Sequence, residues 1–314
     1  MRNAFADELK TLAASNHQIV LLSGDIGNRL FDPYKKEFLE RFFNCGVAEA
    51  NMTGMAAGMA LCGLRPITYT ITPFNTTRCL EQIRIDVCYH ELPVIIVGVG
   101  AGLSYAGLGG THHACEDIAL LRALPNMTVI CPADAVEVRL ALRAALSHNG
   151  PVYIRLGKKN EPVIHKKQPQ FIIGKGIIIR QGSDICLLST GNILPNVIES
   201  AIRLEQKGIS TQVVSMHTVK PLDNEMIEDV FDRFGVVATI EEHSLIGGFG
   251  AAVAEWLSDQ PPQKGRLCRL GIKDTFLHQC GNQENARTMA GLDSAKIVTK
   301  VTNYWRQRID THRN

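Results

Sequence analysis

Two groups of residues in this 314-residue chain have types and spacing that could do chemistry. The first is Glu49, the only charged residue in 46–60, a run built mainly of Gly, Ala and Met. A helix of such small residues lets another surface come close. An acid in its first turn is either a helix-start glutamate favoured by the dipole and bonding back towards Gly46, or a group presented to a ligand. The second is a loop with six glycines between Gly98 and Gly110, ending in Thr111-His112-His113. It follows an apolar run, which is where parallel sheets carry ligand-binding loops, and glycine lets backbone approach a ligand. Paired histidines suit proton transfer, oxyanion binding or metal ligation. The metal reading is the weakest, because adjacent histidines do not easily reach one ion and no acidic ligand is fixed nearby by spacing.

The elements that must hold these residues read as α/β. Continuous apolar runs at 19–23, 66–70, 94–99, 128–131 and 152–156 predict strands; helix-like segments at 48–61, 77–89, 116–124 and 135–147 lie between them. Buried strands alternating with helices make a parallel sheet covered on both faces. A charged, proline-bearing stretch at 157–170 reads as an exposed linker. A second series follows, with strands at 185–189, 211–215, 236–241 and 267–271 and helices at 194–206, 224–234, 250–258 and 295–307. The expectation is two parallel-sheet-containing α/β domains, 1–165 and 166–314.

Composition narrows the class. Hydrophobic residues at 45% and charged residues at 20% are those of a globular protein, and a net charge of +2 gives no reason to expect nucleic acid or a membrane surface. No apolar run is long enough to span a bilayer, so a cytoplasmic location is the default. The nine cysteines are scattered without a Cys-x-x-Cys pair and read as reduced, structural thiols.

Further segments complete a pattern. Gly46-x-x-Glu49 is followed by Thr72-Pro73-Phe74 after a strand, the glycine loop ending in Thr111-His112, then Leu121-Arg122-Ala123-Leu124-Pro125-Asn126-Met127 and Pro132-Ala133-Asp134. This order resembles the pyrimidine-binding domain of transketolase and of its relative deoxyxylulose phosphate synthase. Val219-Lys220-Pro221-Leu222-Asp223 and the segment from Glu241 through Gly250 resemble the C-terminal domain of the same enzymes. The resemblance covers nearly the whole chain.

It implies thiamine diphosphate as cofactor. Glu49 matches the glutamate that bonds N1′ of the aminopyrimidine, which needs a partly desolvated carboxyl group able to share a proton near neutral pH. Phe74 matches the ring that stacks on the pyrimidine, while the family's second aromatic, three residues on, is Thr77. His112 matches a histidine near the substrate's reacting oxygen, and Arg155 and Lys158 fall where cations meet a substrate phosphate. Two positions depart from the pattern: an aspartate that contacts a sugar hydroxyl is Leu108, and a substrate-contacting histidine is Gly100. Gly24-Asp25-Ile26-Gly27-Asn28 resembles a diphosphate-and-magnesium motif, but the family's third residue is glycine, not Ile26. It is not read as a metal site, and Asp25 is kept only as a cofactor-binding candidate. The magnesium ligands are expected on a partner carrying the N-terminal half, most simply in an α2β2 assembly. The implied activity is transfer of a two-carbon ketol unit between sugars or sugar phosphates. The beta subunit of a 2-oxo-acid dehydrogenase and a deoxyxylulose phosphate synthase-like enzyme are the alternatives.

Overall fold

The computed structural model describes the backbone of residues 1–311 apart from Asn28, Lys159 and Gln279. Strands β1 (Ile19–Ser23), β2 (Phe42–Asn44), β3 (Arg65–Ile71), β4 (Ile95–Val99), β5 (Thr128–Ile130) and β6 (Val152–Leu156) pair in parallel in the order β5-β6-β4-β3-β1-β2. Strands β1, β4 and β6 are buried along their whole length, which is why they read as mainly apolar runs, with Arg155 of β6 the charged exception. Helices Arg2–Ser15 and Ala135–Ser147 cover one face, and Glu49–Leu61 with the turns from Thr77 to Tyr89 cover the other.

The second half forms its own sheet from β7 (Ile177–Arg180), β8 (Ile185–Thr190), β9 (Thr211–Ser215), β11 (Val236–Ser244) and β12 (Arg266–Ile272), in the order β12-β11-β8-β9-β7. All its pairs are parallel except β7 with β9. Strand β10 (Thr218–Lys220) leaves this half and pairs antiparallel with β5, giving the first sheet a seventh strand. An apolar core runs across the junction, from Val20 and Met52 to Leu188, Val214 and Phe231.

Two expectations are modified. The segment 77–89 is not one helix: a 3-10 turn (Thr77–Cys79) and a short helical turn lead into a π-helix, Ile83–Tyr89. The segment 157–170 lacks helix and strand but is no free linker. The Asp134 carboxylate caps its own helix with Oδ1 and receives the N–H groups of Ile164 (2.8 Å) and His165 (3.1 Å) on Oδ2. His165 Nε2 lies 2.8 Å from Glu137 Oε1. No helix among the described residues is long and apolar enough to cross a membrane.

Candidate active site

The carboxyl ends of the adjacent strands β6, β4, β3 and β1 deliver Lys158, the glycine loop, Phe74 and Asp25 to one edge of the sheet, the position at which α/β sheets bind ligands. Glu49 starts the helix Glu49–Leu61, whose buried stripe is Glu49, Met52, Thr53, Ala56, Ala57 and Ala60. Spacing of three and four puts the carboxylate on the inward face with the small residues. Its closeness to β1 depends on Gly24, where an added Cβ would lie 3.0 Å from Thr70 and 3.3 Å from Glu49 Cγ. The helix's other side is bare: nothing lies within 4 Å of a Cβ placed at Gly58, and Val47 and Leu61 are exposed.

The Glu49 side chain is 1% exposed, and its Oε2 accepts from Arg78 Nη1 at 2.7 Å. The same guanidinium lies over the Phe74 ring, 4.1 Å from its centroid. Arg78 therefore joins the carboxylate and the aromatic ring into one unit, with a cation–π contact worth about 0.5–2 kcal/mol. Phe74 sits in the single helical turn Thr72–Asn75 after β3. That turn is tied to β4 by Thr72 Oγ1 donating to the Val99 carbonyl (3.2 Å) and Asn75 Nδ2 to the Val97 carbonyl (2.9 Å). Arg78 was not singled out from sequence; its only signal was a cation four residues after Phe74 in an otherwise uncharged turn.

The glycine loop closes on itself through paired backbone bonds between Gly102 and Ala114 (3.0 and 2.9 Å). Glu242 Oε1 of the second sheet receives the N–H of Leu103 at 2.6 Å. Within the loop His112 stands between two rings, 5.3 Å from Phe74 and 5.9 Å from Tyr105 between centroids. Thr111 Oγ1 is 2.9 Å from His112 Nδ1. Burial first, and the neighbouring His113 second, push the His112 pKa below its ordinary 6.5. His113 is buried with Nε2 3.1 Å from the Ala106 carbonyl oxygen, a structural position. The Lys158 ammonium lies 4.4 Å from the centre of the Tyr105 ring.

Arg155 is 2% exposed, with Nε donating to Asp117 Oδ2 at 2.7 Å and Nη2 reaching Asp117 Oδ1 and the carbonyls of Ala114 and Glu242 at 3.0–3.2 Å. Those donors brace the glycine loop against the second sheet. Asp25 is exposed at the end of β1, with φ +55° and its Oδ1 accepting from Asn44 Nδ2 at 3.0 Å. Asn28, the last residue of that motif, lies outside the described residues. A cation unanticipated from sequence is Arg2. With Asn3, Asp7, Gly27, Arg29 and Leu30 it lines a cavity of about 580 Å³, and its Nε is buried without a hydrogen-bond partner among the described residues. Burial raises the Tyr105 hydroxyl pKa above 10, and the Arg2 charge opposes that shift.

All nine cysteines are unbridged, and burial pushes thiols such as Cys88 up to about 11. Among the described residues no three His, Cys, Asp or Glu side chains converge as a metal cluster would. The residues present do fit an aminopyrimidine: a buried carboxylate acceptor beside a half-buried aromatic face, on a ledge open to a second surface.

The comparisons agree with this geometry. The transketolase pyrimidine-binding domain matches residues 1–163 and the transketolase C-terminal domain matches residues 174–297. A transketolase C-terminal section of Methanocaldococcus jannaschii is 38% identical over 96% of this chain and 95% of its own length. A 1-deoxy-D-xylulose-5-phosphate synthase of Geobacter sulfurreducens is 38% identical over 94% of this chain, which spans only 46% of that enzyme. A solved split-gene transketolase, described as an inactive beta4 tetramer, superposes with a TM-score of 0.87 at 36% identity, covering 96% of each chain. The chain belongs to the transketolase family, as the half that carries the pyrimidine-binding and C-terminal domains.

Proposed function

We propose that this chain is the pyrimidine-side subunit of a split, thiamine-diphosphate-dependent transketolase that moves a two-carbon ketol unit between sugar substrates. The observation that carries the reading is the Glu49–Arg78–Phe74 unit beside His112 at the sheet edge. Thiamine diphosphate, when bound, supplies the carbon nucleophile that accepts and releases the ketol unit. Glu49 would hold and exchange the proton at N1′ of its pyrimidine, and Phe74 would give the pyrimidine its stacking face. His112 would hydrogen-bond the reacting oxygen. Asp25 stands at the rim of the same ledge as a further cofactor contact. Lys158, over the Tyr105 ring, would take an anionic end of the sugar, such as a phosphate.

Magnesium and the diphosphate are assigned to a partner subunit carrying the N-terminal half, in an α2β2 assembly. The bare face of helix Glu49–Leu61, with Gly58 and exposed Leu61, supports a second subunit docking over the cofactor ledge. Nine unbridged thiols fit the cytoplasm. The test is to combine the chain with its partner, thiamine diphosphate and magnesium. Either hydroxypyruvate and an aldose, or a 2-oxo acid with a dye acceptor, is then offered. Ketol transfer supports the proposal; dye reduction alone would move the chain to the 2-oxo-acid dehydrogenases.

A further inference from the structure

We infer that Glu242 is a positioning residue: from the second domain it holds the glycine loop, and with it His112, in place at the edge of the first sheet. The consequence for turnover rests on the ketol-transfer reading above; the hold on the loop does not. The loop leaves β4 and closes at the Gly102–Ala114 bridge, both ends belonging to the first domain. Its apolar side chains pack elsewhere. Leu103 and Ala106 are buried in the same core as Ile185, Leu187 and Ile240 of the second sheet.

Polar contacts converge on the same stretch. Glu242, near the end of β11 and fully buried, accepts the Leu103 N–H on Oε1 at 2.6 Å. Gln283 Nε2, at the start of helix Gln283–Ala290, donates to that oxygen at 2.9 Å and lies 3.3 Å from the Ser104 hydroxyl. Arg287 of the same helix donates from Nε to Glu242 Oε2 at 2.6 Å. Gly102 has φ +61°, and a Cβ added there would lie 2.7 Å from both the Glu242 carbonyl oxygen and Oε1, so the loop backbone runs directly on this residue. His112 itself contacts the Gly109 carbonyl, Thr111, Tyr105 and Phe74. Of these only Phe74 lies outside the loop, so what fixes the loop fixes the ring.

The anchor needs a carboxylate because each of its oxygens meets donors: Oε1 the loop, Oε2 the helix. Glutamine has one acceptor and one donor. Its NH2 would have to face either the Leu103 N–H or the Arg287 Nε–H. Arg287 Nη1 keeps Glu284 Oε1 at 2.6 Å as a counter-charge, so Glu242→Gln weakens the hold on the loop without leaving a buried cation unpaired.

The experiment compares wild type with Glu242→Gln and with Gln283→Met, which leaves every buried charge in place. Amide hydrogen exchange followed by mass spectrometry reads the full chain. In the complex reconstituted with its partner, kcat for ketol transfer is measured beside proton exchange at C2 of thiamine diphosphate. Exchange in the segment 101–114 should rise about tenfold or more, as for a weakened hydrogen bond to a charged group, with helix Ala135–Ser147 and β8 unchanged. The kcat should fall about tenfold or more through misplacement of His112, while C2 exchange stays, because Glu49 and Phe74 stand on other elements. A residue that merely stabilises the fold would raise exchange in both domains and slow C2 exchange in step with kcat. That outcome, unchanged protection of the loop in both variants, or a loosened loop with normal kcat would each overturn the inference. A wild-type complex that transfers no ketol unit would sink the functional reading alone, since loop protection is read without activity.

Discussion

Replacing Glu49 by Gln separates its catalytic role from its structural one. The side chain is 1% exposed and its cationic partner Arg78 is 43% exposed. Glutamine has the same shape and still accepts a hydrogen bond from Arg78, and the freed guanidinium can turn into water. Solvent screening at Arg78 limits the lost ion-pair energy to about 1 kcal/mol or less, so the melting temperature should fall only slightly. Proton exchange at N1′ has no such substitute. Loss of one positioned acid or base typically slows a reaction by roughly a hundredfold to ten-thousandfold, or about 3–5 kcal/mol of barrier. The assay follows hydrogen–deuterium exchange at C2 of thiamine diphosphate by NMR in the reconstituted complex, beside thermal denaturation. Near-normal exchange in a folded Glu49→Gln complex would refute the reasoning and return Glu49 to the role of a helix-start residue.

Other expectations follow from buried charges. Arg155→Met removes one side of a pair whose partners are each 1% exposed; breaking such a pair costs about 3–5 kcal/mol. Denaturant unfolding should show that loss, while KM for a phosphorylated acceptor at a temperature where the variant is folded stays unchanged. Lys158→Ala should do the reverse, raising KM for ribose 5-phosphate about tenfold or more and leaving that for glycolaldehyde alone. His243 accepts the Ala119 N–H on Nε2 (3.3 Å) and its Nδ1 faces the Ser244 carbonyl (2.8 Å), so a second proton has no place. Burial lowers its pKa from 6.5 to about 4. A depressed folded-state pKa gives stability that is present above pH 6.5 and lost as pH falls towards 4, about 3 kcal/mol from about 2.5 units. Glu241, raised to about 7 by burial, titrates in the opposite sense between 4.5 and 7. The readout is therefore the difference between wild type and His243→Gln, which should lose the rising limb between pH 4 and 6.5.

Most of the sheet was legible because parallel strands are buried on both faces and are therefore built mainly of apolar residues, as at β1, β4 and β8. Strand β10 was not: three residues are too few for a periodic signal, and its partner β5 lies about 90 residues earlier in the other half. Strand β7 is a half-exposed antiparallel edge whose apolar run is only three residues, Ile177 to Ile179. In the site, local motifs pointed to Glu49, Phe74 and His112, and the fold brings the last two together and links the first through Arg78. The roles that were missed depend on distant partners. Arg155 could not be recognised as a structural tie without Asp117, 38 residues away, or the Glu242 carbonyl. Arg2 shares a cavity with Gly27, Arg29 and Leu30 only because the first helix packs back on the sheet. Gly100 read as a lost contact, and only the coordinates show that Tyr105 fills its space.

Reconstitution tests the central claim most directly. The chain alone offers the pyrimidine ledge, with no converging metal ligands among its described residues. Isolated and homogeneous, it should bind thiamine diphosphate weakly in calorimetry and transfer no ketol unit from hydroxypyruvate to an aldose. Adding the partner that carries the N-terminal half, with magnesium, should restore tight binding and turnover together. Full ketol-transfer activity from the isolated chain would contradict the split-subunit account.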